Sequence, residues 1–87
     1  MKNNNFTAKE VEITAVYFRS HNLGFDSYPR RMLYEGREYN FIEESLRYLI
    51  KTKDSLIQLF DVSDGQLNYR LRQDHGCWTL VNINSGA

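Results

Sequence analysis

One cysteine, no excess of charge of either sign and no apolar run long enough to cross a bilayer: these are the first limits on this chain of 87 residues. A lone cysteine cannot form an intrachain disulfide, so no covalent staple supports the core, in keeping with a reducing compartment. Lysine plus arginine equals aspartate plus glutamate, eleven each. The whole-molecule field therefore draws the protein toward neither DNA nor an anionic membrane, and any nucleic-acid surface must be a local patch. The opening MKNNNFTAKE has no apolar segment of the signal-peptide kind, which argues against secretion and, with the lack of long apolar runs, points to the cytoplasm.

Catalytic signatures are also missing. The chain has no phosphate-cradling glycine loop, no serine elbow and no paired-histidine helix, which makes an enzyme the weakest functional class. No cofactor is expected. Zinc would need about four ligands at recognisable spacing, whereas His75 and Cys77 have only the distant His21 as company. Asp74-His75-Gly76-Cys77 instead falls where two alternating runs must reverse, and it supplies the aspartate and glycine that a reversal favours. It reads as the corner of a hairpin, with Cys77 a small apolar residue at the start of a strand.

What the chain does have is 41% hydrophobic and 14% aromatic residues, enough to order one domain but not two. The polar, asparagine-rich residues 1–8 read as a disordered arm, leaving 9–87 as a single β-rich domain. Val11, Ile13, Ala15 and Tyr17 alternate with Glu10, Glu12 and Thr14 in a strand, and Val16 and Phe18 predict that its end is buried on both sides. Residues 20–29 collect serine, asparagine, glycine, aspartate and proline and predict a loop anchored by Leu23 and Phe25. Strands over 30–34 and 37–42 flank Glu35-Gly36, a two-residue hairpin spacing in which Gly36 can take positive φ.

The stretch EESLRYLIKTK is ambiguous. Ile42, Leu46, Leu49 and Ile50 fit a helical face, while Leu46, Tyr48 and Ile50 fit a strand equally well; Glu43 and Glu44 in front and Lys51 and Lys53 behind favour a short helix. Three strands follow, at 56–62, 66–73 and 77–83, divided by Ser63-Asp64-Gly65 and Asp74-His75-Gly76. Leu67, Tyr69 and Leu71 are expected on a core face, opposite Arg70 and Arg72, and Trp78 in the core. The fold class is thus mainly β: a small antiparallel barrel or strongly curved sheet of about six strands with room for one short helix, α+β being the alternative.

One grouping invites a functional reading. Arg30, Arg31, Tyr34, Arg37 and Tyr39, with Tyr28, Arg47 and Tyr48 nearby and Tyr69, Arg70 and Arg72 later, interleave cations and rings as small β modules that hold single-stranded nucleic acid do. Glu35, Glu38, Glu43 and Glu44 lie among them, and cross-strand charge pairing on a solvated face is the competing account. The outcome turns on whether each arginine faces a carboxylate.

The stretches from Tyr34 to Phe41 and from Tyr69 to Ile83 resemble a short bacterial domain of unknown function, sometimes encoded beside error-prone DNA polymerases. In it an aromatic-x-Gly-Arg-x-Tyr hairpin precedes a closing Gly-x-Trp-x-Leu hairpin. The resemblance covers residues 28–83 and implies a small β-rich fold and, through genomic company, a link to nucleic-acid metabolism, with no catalytic residues. The expected function is a non-catalytic binding or accessory module. It would engage another protein or a second copy through a sheet edge or exposed patch, the alternative being nucleic-acid binding through the arginine and tyrosine face, with no membrane or metal partner.

Overall fold

The computed structural model describes residues 6–22, 24–42 and 45–84. These form seven antiparallel strands: β1 (Phe6–His21), β2 (Gly24–Tyr34), β3 (Arg37–Asn40), β4 (Leu46–Lys51), β5 (Leu56–Ser63), β6 (Asn68–Asp74) and β7 (Cys77–Asn84). They make one sheet in the order β3-β2-β1-β7-β6-β5-β4, curved but not closed into a barrel, and the described residues contain no helix.

The curvature originates in β1. Its first half pairs with β7 as far as Val11 opposite Trp78, and its second half pairs with β2 from Glu12 opposite Leu33 onward. Register shifts around Thr14 in β1 and Arg30 in β2 mark the change, as bulges do where a strand must bend. The sheet therefore folds over its own inner face, where Tyr28 of β2 meets Phe60 of β5 edge-on at 5.8 Å and Tyr39 and Phe41 meet Tyr69 at 5.8 and 5.4 Å. Met32, Leu71 and Leu80 are fully buried between them, and Trp78 packs on Phe60 at 5.2 Å. A further shift, between Arg70 and Leu71, leaves Val81 without a partner in β6; this is why Leu80 and Ile83, three apart, both reach the core.

Both tight hairpins have the form expected. Glu35 and Gly36 have φ of 53° and 79°, and His75 and Gly76 the same pair of values, so each turn has both central residues at positive φ. The DHGC corner is thus a hairpin turn. Cys77 does begin β7, but it is exposed rather than a packed apolar residue.

Several expectations are corrected. Residues 20–29 are not a loop: β1 runs to His21 and β2 starts at Gly24, His21 and Gly24 being paired, and Pro29 lies buried within β2 beside the bulge, where its missing N–H is tolerated. Leu23 lies outside the described residues. Val16 and Phe18 are 42% and 67% exposed, so β1 is not buried on both sides toward its end. The strand expected at 37–42 stops at Asn40, because Phe41 and Ile42 leave β3 to donate to the carbonyls of Arg30 and Ser63, both at 2.8 Å. The sixth strand begins at Asn68, leaving Leu67 in the turn and 38% exposed, so it is not a core residue. The expected helix is β4, an edge strand; Glu43 and Glu44 lie outside the described residues. Of the expected arm, residues 1–5 lie outside the described residues, and Phe6 to Ala8 belong to β1.

A candidate interaction edge

The sheet has two edges, and they differ. At one, β3 is four residues long, carries exposed Arg37 and Glu38, and turns Tyr39 onto the core: a short, charged edge of the kind that resists pairing with other chains. At the other, β4 is six residues long and reads LRYLIK, with Leu46 60%, Tyr48 40%, Leu49 54% and Ile50 42% exposed. The residue after its hairpin, Leu56, is 52% exposed. One side of β4 pairs with β5 along its whole length, from Leu46 opposite Asp61 to Lys51 opposite Leu56. Among the described residues the other side meets no strand, leaving its outward backbone donors and acceptors as a template for a further strand.

Local chemistry fixes β4 at both ends. Ser45 is 7% exposed with its hydroxyl 2.6 Å from that of Tyr17, and beyond Lys51 the chain turns through Thr52, whose N–H donates to the Ser55 carbonyl at 2.8 Å. Antiparallel partners point to the same face, so the register assigns the side chains. Arg47 lies opposite Phe60 and therefore on the inner face, where it donates to Gln58 Oε1 at 2.8 Å and sits 3.3 Å from Asp26 of β2. Gln58 in turn donates to Gln73 at 2.9 Å, which ties Arg47 back across the inner face and away from the free edge.

The outer face carries Leu46, Tyr48 and Ile50 in line, backed by half-buried Ile57 and Leu59 of β5. Tyr48 is held there. The Arg70 guanidinium lies 5.7 Å from its ring centre, and Arg70 grips Asp61 through two bonds, Nε to Oδ1 at 2.7 Å and Nη2 to Oδ2 at 2.8 Å. The Tyr48 pKa is raised, first by the hydrogen bond of its hydroxyl to Asp61 and then by that carboxylate's charge. Asp61 is held below its ordinary value, chiefly by the hydrogen bond from Arg70 and against the upward effect of burial; Arg70 is raised by the same bond. The result is an aromatic side chain fixed at the middle of an exposed edge.

The arginine and tyrosine cluster is dispersed over the fold. Arg70 faces Asp61, Arg72 lies 2.8 Å from Asp74, and Arg31 donates to the Thr14 hydroxyl at 3.1 Å. Arg30 is exposed beside the bulge in β2, and Arg37 lies 5.8 Å from the Tyr39 ring on the far edge. Strands β1 and β7 separate Arg30, Arg31 and Arg37 from Arg70 and Arg72. The rings are mostly turned inward: Tyr28 and Tyr69 are buried, and Tyr34 and Tyr39 pack against the core. Among the described residues no group of three His, Cys, Asp or Glu side chains comes together to hold a metal ion, and no helix is long and apolar enough to cross a membrane.

A half-open cleft of about 980 Å³ begins at the N-terminal end of β4, bounded by Ser45, Leu46, Asp61, Asn68, Arg70 and Asn82. It makes the surface around Leu46 concave and polar on one flank. Both periods fit residues 46–51 and the charge order favours the helix; the period of two in Leu46, Tyr48 and Ile50 is the signal that holds, and what the sequence alone does not identify is that this strand is an edge. The chain matches no protein-family model, no curated protein and no solved structure.

Proposed function

We propose that this protein is a non-catalytic interaction module that binds an extended strand along the free edge of β4. One observation carries the reading: a six-residue edge strand, paired on one side only among the described residues, exposes four apolar side chains over both its faces. Natural edges are usually blunted by shortness or charge, as β3 is, because an open apolar edge recruits other chains. Retaining one costs solubility, and strand addition is the use that offsets it: main-chain bonds supply affinity, and alternate side chains supply specificity. The single cysteine, exposed at Cys77, supports a cytoplasmic location, where a reducing environment keeps the thiol free.

Single-strand nucleic-acid binding is the weaker reading, since the arginines of β6 are matched to carboxylates and the available rings are few. The two readings separate by selection. A library of capped decapeptides is displayed against the immobilised protein and counter-selected against Leu49→Lys. Enrichment of alternating apolar sequences that the variant fails to hold is the expected result. No enrichment, together with salt-sensitive binding of a short single strand, would reverse the assignment.

A further inference from the structure

Resting on that reading of β4, we infer that the strand the edge accepts is β4 of a second copy, paired antiparallel about a two-fold axis at Tyr48. Each copy supplies what the other needs: a free edge and an alternating row of exposed apolar side chains. Such an isologous contact closes on itself, so it ends at a dimer instead of growing into a filament.

Charge selects the register. In a symmetric antiparallel pair the axis passes through one residue, and its neighbours pair across it. An axis at Leu49 sets Arg47 against Lys51 of the other copy, and an axis at Ile50 joins only the last end of β4 to its counterpart, because the position opposite Arg47 would be Lys53, beyond the strand. An axis at Arg47 or Lys51 sets a cation against itself, while one at Leu46 joins only the first end of β4 to its counterpart. Like charges directly opposite are unfavourable in a ladder. With the axis at Tyr48, Leu46 lies opposite Ile50, Arg47 opposite Leu49 and Lys51 opposite neutral Ser45. No two cations then meet within β4, and Leu46, Tyr48 and Ile50 of both copies form one apolar block on the outer face. Opposite Leu49 in this register, Arg47 keeps Asp26 and Gln58 as its partners on the inner face.

A single six-residue ladder is a small interface. The dissociation constant is therefore expected to be micromolar to millimolar rather than nanomolar, and the dimer to form reversibly with concentration.

Cysteine cross-linking in a Cys77→Ser background tests the register. Paired Cα atoms lie about 4.5–5.5 Å apart, within disulfide range, whereas Leu46 and its own copy would be about 14 Å apart along the strand. Under mild oxidation Tyr48→Cys should give a covalent dimer, and Leu46→Cys and Ile50→Cys alone should not. The double variant Leu46→Cys/Ile50→Cys, which keeps Tyr48, should also cross-link. Sedimentation velocity of the unmodified chain should show a monomer shifting to a dimer with concentration, and Leu49→Lys should weaken that shift at least tenfold. A chain that stays monomeric up to millimolar concentration, or cross-links through Leu49→Cys in place of Tyr48→Cys, overturns the self-pairing. If the peptide selection still succeeds on a monomeric chain, the edge reading stands without it.

Discussion

The two hairpin turns provide the most direct test of the backbone, because they are chemically different copies of one geometry. Glu35-Gly36 and His75-Gly76 have the same φ pair, 53° and 79°, and a Cβ built on either glycine would meet no atom within 4 Å. Steric cost from neighbours is therefore absent, and only the left-handed backbone opposes alanine. That conformation costs an L-residue about 1–2 kcal/mol, so Gly36→Ala and Gly76→Ala should each destabilise by that amount and by nearly equal amounts. For a domain of this size each kcal/mol lowers Tm by about 4–8 °C. Glu35 and His75 already bear the same strain, and Asn tolerates it better; Glu35→Asn should gain a few tenths of a kcal/mol to about 1 kcal/mol. His75→Asn should gain less, since His75 Nε2 lies 3.3 Å from Asp74 and that contact is lost. Urea unfolding followed by far-ultraviolet circular dichroism, at protein concentrations low enough to avoid association, measures all four. Alanine at Gly36 without loss, or two glycines differing by more than about 1 kcal/mol, would mean that the turns are not the conformation described.

Leu71 is fully buried, between Phe60 and Leu80 in the adjoining strands, so Leu71→Ala should cost about 3–5 kcal/mol in the same assay. Asp64 accepts from the N–H groups of Gln66 and Leu67 at 2.9 and 2.8 Å and from the Tyr69 hydroxyl at 2.7 Å; Asp64→Ala should cost about 1–3 kcal/mol. Burial pushes the Asp64 pKa up, but the bonds from Leu67, Tyr69 and Gln66 together outweigh it, so Asp64, like Asp61, sits below its ordinary value in the folded state. Their contribution is fully present above the unfolded carboxylate pKa of about 4 and is lost as pH falls through the lower folded values; removing both carboxylates should flatten the acid limb of the stability profile. A double-mutant cycle on Asp61 and Arg70 should return a coupling of only about 0.3–1 kcal/mol despite the two short bonds, because the side chains are 27% and 44% exposed.

How far the fold was legible depended on whether a strand had one covered face. In β6, Tyr69 and Leu71 face the core while Arg70 and Arg72 face outward, and that contrast wrote a period of two into the sequence. The same holds for the first half of β1 and for the meander β5-β6-β7. The segment 20–29 was misread because its turn-forming residues sit inside a long hairpin, where pairing from Arg19 opposite Asp26 to His21 opposite Gly24 overrides their individual preferences. The cation and ring cluster was misleading for a related reason. Neighbours along β2 and β3 alternate faces, so Tyr34 and Tyr39 went inward and Arg31 outward, and the bulge at Arg30 left that side chain exposed as well.

The ambiguity of residues 46–51 has a physical source that bears on function. A strand whose inner face packs on a core and whose outer face meets water must keep apolar and polar residues apart, and so must a surface helix, each at its own period. Leu46, Tyr48, Leu49 and Ile50 satisfy neither strictly, because the inner face of β4 carries half-buried Arg47 beside exposed Leu49 and its outer face carries Leu46, Tyr48 and Ile50. Such a pattern is expected where folding alone covers neither face. Within one chain these residues remain exposed, so intramolecular packing does not account for their apolar character. A second strand alongside β4 would: it would pair the free edge, cover the row around Tyr48 and restore to the extended sheet the protected edge that β3 already has.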